Sequence, residues 1–244
     1  MNLFSGLNVA MAMNKNNSLD WIRDWAEYHV NAQNLQGVCL IDNASTNYTI
    51  DDILSELETI KGLAAIAVVH APFSYGPVDR SKKLEISPRF LQTSMFNLVR
   101  RDLFHQARAI LSVDIDELVM SNSPENVFDA AVNSRLGAVS FREIKTYPNE
   151  GGGKAYAQRK HSMVKQDSKP GNTKWCVKGQ GFMNNFGWAV HRFGGGFFPL
   201  TETKSFNYFH CQSTSTNWKK NRLKKQEDLV ESAEVKATLT RYLP

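Results

Sequence analysis

The chain has 244 residues, of which 42% are hydrophobic and 22% charged, a balance that predicts a globular protein and excludes a disordered one. Its net charge of +5 favours anionic partners such as nucleotides, nucleic acid or an acidic lipid surface, without choosing among them. Three cysteines without a Cys-x-x-Cys pair favour a reducing compartment. With no visible signal peptide and no apolar run long enough to span a bilayer, we predict a cytoplasmic protein.

The first 145 residues alternate short apolar runs with amphipathic stretches. This alternation predicts an α/β fold with a mostly parallel, doubly wound (Rossmann-like) sheet, in which ligands bind beyond the carboxyl ends of the strands. Ser18 is expected to cap the first helix. The predicted strands are 7–13, 38–41, 64–70, a run that ends at Asp114, and 138–144, and the predicted helices begin at Leu19, Asp51, Pro88 and Pro124.

Acidic and amide residues follow two of these strands. Asp42 and Asn43 come after the second strand, and Asp114 and Asp116 come after the fourth. Because strand residues i and i+2 point to the same side, the carboxylates of Asp114 and Asp116 are expected to converge. Converging carboxylates repel unless a cation offsets the repulsion, so the pair predicts Mg²⁺ or Mn²⁺, which could also hold a phosphate. A solvated turn is the simpler interpretation of this triplet taken alone.

The composition changes after about residue 145, where the sequence contains glycine triplets at 151–153 and 194–196 and several aromatic residues. We predict a part of the same domain, 146–244, and its alternative is a β-rich extension whose aromatic residues are core. Five basic residues lie between Lys219 and Lys225. The segment from Trp218 is predicted helical, with Leu223, Leu229 and Val230 on an apolar stripe. A solvated basic face is its simpler interpretation, and a peripheral membrane contact through 218–225 is the alternative.

Four blocks of sequence, taken together and in this order, resemble a group of glycosyltransferases with the GT-A fold, those of families 2 and 92. The blocks are NKNN at 14–17, WIRDWAEYH at 21–29, VCLIDNASTN at 38–47 and VDIDEL at 113–118. Asn17 stands where that group has Glu, and Leu118 stands where it has Phe. The group's Trp-x-x-Phe-Gly is not clearly present near 141–151.

The resemblance implies a metal-dependent transferase that moves a sugar from a nucleotide sugar, expected to be a UDP-sugar, to a glycan or lipid-linked glycan acceptor. It implies an inverting enzyme of surface or capsular polysaccharide synthesis, cytoplasmic or peripheral at the inner membrane face, with residues 1–145 binding the donor and 146–244 facing the acceptor. Mn²⁺ or Mg²⁺ would be held by Asp114, Asp116 and His210. An ordinary half-buried histidine is the equal alternative for His210.

The resemblance implies that Asp42, Asn43 and one aspartate of the later pair, Asp114, contact the nucleotide. Asn14 and Lys15, at the end of the first strand, are expected to face the same crevice, and Lys219, near His210 in sequence, is a candidate phosphate contact. An Asx turn is the alternative role for Asp42 and Asn43. An inverting reaction needs a general base, for which His191, Glu143 and Glu202 are candidates, whereas a retaining reaction would need none there. Two other classes compete with the enzyme: an inactive module that binds a nucleotide sugar or glycan, and a nucleic-acid-binding protein. No nucleic-acid motif accompanies the basic charge, so we expect no nucleic-acid partner.

Overall fold

The computed structural model describes residues 2–76, 89–166, 171–216 and 223–243. Its strands are β1 (Asn8–Asn14), β2 (Gly37–Asp42), β3 (Ala65–His70), β4 (Ala109–Ser112), β5 (Glu117–Ser121), β6 (Ala138–Thr146), β7 (Met163–Lys165), β8 (Thr173–Lys178), β9 (Trp188–Ala189), β10 (Arg192–Phe193), β11 (Glu202–Cys211) and β12 (Leu229–Glu231). Its α-helices are α1 (Leu19–Gln33), α2 (Ile50–Glu58), α3 (Phe90–Asp102), α4 (Val127–Asn133) and α5 (Ala233–Tyr242), and 3-10 helices cover Gln158–Lys160, Phe182–Asn185 and Gly195–Thr201.

The centre of the molecule is a mixed sheet in the order β3-β2-β1-β4-β8-β6-β11-β5. Strands β1 to β4 are parallel to one another, and β6 is parallel to β11. Within this sheet, as far as the structure describes it, β8 and β5 are the strands that run antiparallel to their neighbours. The predicted α/β class with a mostly parallel sheet is therefore confirmed, and β8 and β11, from the second part of the chain, complete this sheet.

Helices cover both faces of the sheet. Along β1, Ala10 and Ala12 belong to one apolar cluster, and Val9, Met11 and Met13 belong to another. Because successive side chains of a strand point to opposite faces, the two clusters lie on opposite sides of the sheet. Helices α1 and α2 pack in the first cluster and α3 in the second.

The structure differs from the sequence prediction at three helix starts, either in the capping residue or in the first residue of the helix. Helix α1 begins at Leu19 as predicted, but the Ser18 side chain makes no capping hydrogen bond. Helix α2 begins one residue before the predicted start, because Thr49 forms a reciprocal capping box with Asp52. The predicted start of α4 at Pro124 is wrong. The Asn126 side chain accepts hydrogen bonds from the first turn, and the helix begins at Val127.

The helical prediction for Leu229 and Val230 is also wrong. These residues form β12, which pairs antiparallel with β7, and helix α5 follows only after it. The predicted helix start at Pro88 and the segment from Trp218 to Arg222 lie outside the described residues. Among the helices that the structure describes, none combines the length and apolar character needed to cross a membrane.

Strand β5 ends the sheet, and side chains of α1 cover its outer edge at Val119. The hydroxyl of Tyr28 and the amide of Gln33 both donate to the Val119 carbonyl, at 3.1 and 3.0 Å. His29 Nε2 accepts from the Val119 amide at 3.2 Å, while its Nδ1 bonds to the Trp25 carbonyl. Burial lowers the pKa of His29 to about 4, so the ring is neutral and can accept this bond.

Candidate metal and nucleotide site

The predicted Asp-x-Asp pair lies in the turn between β4 and β5, not on a strand. Strand β4 ends at Ser112, and β5 begins at Glu117. The expectation that Asp114 and Asp116 point to one side as strand residues is therefore wrong. The Asp114 carboxylate contacts a lysine of β8, and the Asp116 carboxylate contacts a histidine of β11.

A buried lysine, Lys174 of β8, holds the first half of this turn. Its Nζ lies 2.7 Å from Asp114 Oδ2 and 2.8 Å from Glu117 Oε2. The Lys174 side chain is only 1% exposed. Glu117 also accepts the backbone N–H of Asp114 at 2.7 Å, and Gln92 of α3 donates to Asp114 Oδ1 at 3.0 Å. The turn is thus held by ionic and hydrogen bonds from two distant elements.

The charged groups of this cluster shift one another's pKa values. Burial opposes the charge of Lys174, but the carboxylates of Asp114 and Glu117 outweigh it and raise the lysine pKa. Burial raises the pKa of Glu117 to about 7, with Lys174 opposing the rise and the carboxylates of Asp114 and Asp116 adding to it. We conclude that Lys174 stays charged.

The second half of the turn meets His210 near the carboxyl end of β11. His210 Nε2 lies 3.2 Å from Asp116 Oδ2, and Nδ1 lies 3.2 Å from Glu143 Oε2. Burial opposes a charge on His210, but Asp116 and Glu143 outweigh it and raise the pKa to about 9. Burial also opposes ionisation of Glu143, yet His210 and Lys145 lower its pKa. An imidazole oriented by a carboxylate on its other nitrogen is a common arrangement around metal ions.

Three side chains could share one cation here. One ligand atom each from Asp116, Glu117 and His210 lies within 4.8 Å of the others. Two carboxylates and an imidazole form a donor set that suits Mn²⁺. The predicted ligands Asp116 and His210 are therefore brought together. Glu117, rather than Asp114, completes this group among the described residues.

The loop after β2 is saturated by hydrogen bonds of its own. Asp42 accepts from the Asn14 side chain at 2.7 Å and from the amide and hydroxyl of Ser45 at 2.9 and 2.6 Å. The Asn43 side chain donates to the carbonyls of Ala71 and Phe73, each at 2.8 Å. The Asp42 contact with the Ser45 amide is local, as in the Asx-type turn that the sequence left open as the alternative role, whereas Asn43 ties the loop to the segment after β3.

Lys15 lies beside that loop, with its Nζ 2.7 Å from the Asn43 carbonyl oxygen. Asn14 and Asp42 end paired strands β1 and β2 and are both buried. Four of the predicted nucleotide contacts, Asn14, Lys15, Asp42 and Asn43, thus lie together at the carboxyl edge of the sheet. Lys219 lies outside the described residues.

The predicted base candidates occupy three different positions. His191 faces Arg89, which contacts its Nε2, and its Nδ1 bonds to the Thr173 carbonyl. Burial, with the charges of Lys174 and Arg89, lowers the pKa of His191 to about 3. Glu202 begins β11, roughly 25 Å along that strand from His210, and pairs with Arg142 at the surface. That position removes Glu202 from the candidates, whereas Glu143 and His191 border the site.

Sequence reasoning missed several side chains that shape the turn. The sequence assigned no role to Lys174, although a lysine within a run of apolar residues is a signal of a buried charge. Gln158 donates to the carbonyls of Trp21 and Ile115 at 2.9 and 3.0 Å, which ties the turn to α1. Gly171 lies so close to Glu143 that a Cβ there would be 2.0 Å from its carboxylate. No local sequence pattern marks these last two residues.

The sequence matches no protein-family model and no curated protein. Among solved structures, the chain is similar to the mannosyltransferase PcManGT from Pyrobaculum calidifontis in complex with GDP-Man and Mn²⁺ (17% identity, TM-score 0.38, 57% of this chain and 36% of that one). It is similar to GalNAc-T7 with UDP, GalNAc and Mn²⁺ (10%, 0.47, 86% and 44%). It is also similar to S. aureus TarS 1-349 in complex with UDP (14%, 0.41, 71% and 47%). This chain spans less than half the length of each, and similarities of this size carry no argument about activity.

Proposed function

We propose that this chain is a metal-dependent glycosyltransferase of the GT-A type, which moves a sugar from a nucleotide sugar to a glycan. The observation that carries the proposal is the contact of Asp116 with His210, reinforced by Glu143, at the edge where the parallel strands end. This edge is where α/β sheets bind ligands. The order of sequence blocks that resemble family 2 and family 92 transferases gives the proposal its second support.

The metal is assigned to Asp116 and His210, with a third ligand from Glu117 or Asp114. Mn²⁺, the ion present in two of the structures named above, is the expected metal. When bound, it supplies a Lewis acid that stabilises the leaving diphosphate. Glu143 orients His210 through the hydrogen bond to Nδ1 and keeps Nε2 directed at Asp116.

The nucleotide is assigned to the crevice between the two loops. Asp114 lies on the solvent side of Lys174, with 31% of its side chain exposed. Its carboxylate can accept hydrogen bonds from the hydroxyl groups of a ribose. Lys15 can reach a phosphate, and Asn14, Asp42, Asn43 and Lys219 complete the proposed donor contacts. The donor is proposed to be a UDP-sugar.

Proton removal from the acceptor is assigned to His191 or Glu143, and the reaction is proposed to invert the anomeric centre. Each base would first have to lose a present contact. His191 Nε2 would have to separate from Arg89, and Glu143 from His210. Replacing each in turn by Gln separates the two, because the base variant loses kcat while its donor binding persists.

The cellular setting is part of the same proposal. Residues 1–145 would bind the donor and 146–244 would face a glycan or lipid-linked glycan, in the synthesis of a surface or capsular polysaccharide. The enzyme would work in the cytoplasm, at the inner membrane face, with the basic segment 218–225 touching the lipid. Replacing the basic residues of 218–225 by serine, which keeps β12 and α5 in the chain, should weaken binding to anionic vesicles if that contact exists.

Asp116→Ala tests the proposal directly. The variant loses a carboxylate that the ion needs, so Mn²⁺-dependent binding of UDP or a UDP-sugar should disappear while the fold survives. Thermal unfolding in a panel of UDP, GDP, CDP and their sugars, with and without Mn²⁺, measures this, because a ligand of the folded state raises Tm. Glu125→Ala, at an exposed carboxylate, is the matched control and should keep the shift.

Three results would contradict the proposal. The first is no Tm shift of the wild type with any nucleotide, and the second is nucleotide binding that EDTA leaves unchanged. The third is Mn²⁺-dependent binding without turnover on any donor, which would favour the inactive binding module that Asn17, in place of the group's Glu, also suggests.

A further inference from the structure

Four apolar side chains near the second and third 3-10 helices form a continuous exposed surface, here called the aromatic shelf. Its members are Phe182, Phe186, Phe197 and Leu200. The three phenylalanine rings contact one another, with centroids 5.3, 5.7 and 5.6 Å apart. Leu200 follows Phe197 by three residues in a 3-10 helix, where residues i and i+3 share one face. Exposed apolar surface that is contiguous in this way marks an interaction site.

The shelf is exposed far more than a core needs. Phe182 is 53% exposed, Phe197 41% and Leu200 72%. The neighbouring rings of Phe193, Trp175 and Trp188 are buried, and the half-buried Phe186 packs against that core. The exposed side chains of Phe182, Phe197 and Leu200 are therefore surplus apolar surface that rests on buried aromatic rings.

The part of the chain that forms the shelf carries basic side chains and no acidic ones. From Gly181 to Thr201 the sequence contains no aspartate or glutamate, while Arg192 and the preceding Lys178 are basic; Glu202, which follows, is paired with Arg142. Arg192 is exposed, and the Lys178 carbonyl accepts the Gly181 amide at 3.1 Å, which places this lysine one turn before Phe182. Aromatic side chains with flanking cations are the composition that binds the interface of an anionic bilayer.

A glycan fits the shelf less well. Phe182 meets Phe186 at 73° and Phe197 at 82°, so the rings stack edge to face and occupy one another's faces. A sugar stacks on a free ring face and hydrogen-bonds through its hydroxyls to polar side chains. This stretch of sequence has no carboxylate, and the amide groups of Asn184 and Asn185 already donate to the carbonyls of Gly179 and Phe182. Leu200 and Pro199 add only apolar surface.

Aromatic rings connect the shelf to strand β8. Phe193 of β10 contacts Phe198, which follows Phe197, at 5.3 Å between centroids, and it contacts Trp175 of β8, also at 5.3 Å. Trp175 follows Lys174, although the two side chains point to opposite faces of the sheet. His191, between β9 and β10, contacts Thr173 at the start of the same strand.

We propose that the aromatic shelf is a membrane-docking surface, which inserts Phe182, Phe197 and Leu200 into the interface of an anionic bilayer while Lys178 and Arg192 contact the headgroups. The contact uses residues other than the basic segment 218–225. It does not require the chain to be an active transferase, so its failure and that of the proposed function are separate results.

Vesicle binding by the full chain tests the proposal. Vesicles of phosphatidylcholine mixed with phosphatidylglycerol should bind the wild type, and phosphatidylcholine alone should bind it at least about tenfold more weakly, because the cations contribute. The triple variant Phe182→Ser, Phe197→Ser, Leu200→Ser should lose about tenfold or more in affinity for the mixed vesicles. Leu3→Ser, which also changes an exposed leucine, is the matched control and should bind as the wild type does.

A second measurement reports insertion and does not depend on the triple variant folding. All three native cysteines are buried, so Leu200→Cys can be labelled selectively with a dye whose emission responds to polarity. The emission should shift to the blue with mixed vesicles, and the same dye at Leu3→Cys should not respond. Mn²⁺-dependent nucleotide binding should be unchanged in every shelf variant.

Clear results would overturn the proposal. The wild type could fail to bind the mixed vesicles, or the triple variant could bind them as the wild type does. The dye at position 200 could remain in water when the protein is bound, which would assign the contact to another surface. Loss of oligosaccharide binding with vesicle binding intact would make the shelf a glycan site.

Discussion

Two acidic loops at the same edge of the sheet look alike in the sequence and differ in construction. The loop after β2 holds Asp42 with neutral donors, the side chain of Asn14 and the amide and hydroxyl of Ser45. The turn after β4 holds Asp114 and Glu117 with a buried cation from β8. The partner from outside the loop comes in each case from a neighbouring strand, β1 for the first loop and β8 for the second. The first loop satisfies its charge with neutral hydrogen-bond donors, whereas the second relies on an ion pair with a buried lysine.

This difference separates a carboxylate that shapes the backbone from carboxylates available for chemistry. Asp42 is 3% exposed and has its acceptor oxygens occupied by neutral groups. Lys174 compensates Asp114 and Glu117, which leaves Asp116 and His210 as the half of the turn that a metal can join. An acidic residue at the end of a strand is thus a weak functional signal until its partners are known.

Replacing the buried cation should have the largest effect. Lys174→Met leaves two carboxylates without their cation, one of them Glu117 in the interior, so the free energy of unfolding should fall by about 3–5 kcal/mol. Urea titration followed by circular dichroism measures it. The double variant Lys174→Met, Glu117→Gln should recover part of the loss, because it removes one of the uncompensated charges.

Lys178→Met, near the end of the same strand, is the control. This lysine is half-buried and lies four residues along the strand from Lys174, away from the turn, so its loss should stay within about 0.5 kcal/mol. Equal losses for the two lysine variants would contradict the ion-pair account of the turn.

The loop after β2 should respond less. Asp42→Ala removes the acceptor of three hydrogen bonds and should lower stability by about 1–3 kcal/mol, measured by the same titration. Asp42→Asn keeps one acceptor oxygen and should recover part of this loss. If Asp42→Asn restores stability but still loses UDP binding, Asp42 contacts the nucleotide in addition to shaping the loop. If both variants bind UDP normally, the loop has only a structural role.

Metal affinity should depend on pH at the turn after β4 and not at the loop after β2. The pKa of His210 is raised to about 9, so the ring carries a proton at neutral pH. Mn²⁺ needs the neutral imidazole, and binding must release that proton. The apparent affinity should therefore rise about tenfold per pH unit up to about pH 9. Calorimetry at several pH values measures this affinity, and buffers of different ionisation enthalpy reveal the proton that binding releases. An affinity that does not change with pH would exclude His210 as a ligand.

The parallel half of the sheet was predictable because its information is local. Each of β1 to β4 is a short apolar run between turn residues, and each helix carries its own periodic face. The strands that pair with β8 and β11 could not be predicted from the sequence. Their pairing depends on contacts between residues more than thirty positions apart, as in Ile110 with Val177. The helical prediction for Leu229 and Val230 failed for the same reason, because pairing with β7 overrides local preference.

Two residues of the site could be predicted from the sequence, but the contacts that hold them could not. Asp116 and His210 were named from the sequence, and the structure brings them within 3.2 Å. Lys174, Gln158 and Gly171 were not given a role, because each acts through a contact with a residue far along the chain. Residues whose role is to hold another side chain are the part of a site that a single sequence conceals.

The contacts of α1 with β5 bear on how the molecule avoids joining its own copies. A strand at the end of a sheet exposes backbone donors and acceptors on which another chain could add a strand. At Val119 both groups are already taken, the carbonyl by Tyr28 and Gln33 and the amide by His29. Side chains of α1 thus satisfy backbone groups that a further strand would otherwise bind. Because the backbone of Val119, in the middle of β5, is already hydrogen-bonded, the addition of a strand from another copy is disfavoured at this edge of the sheet.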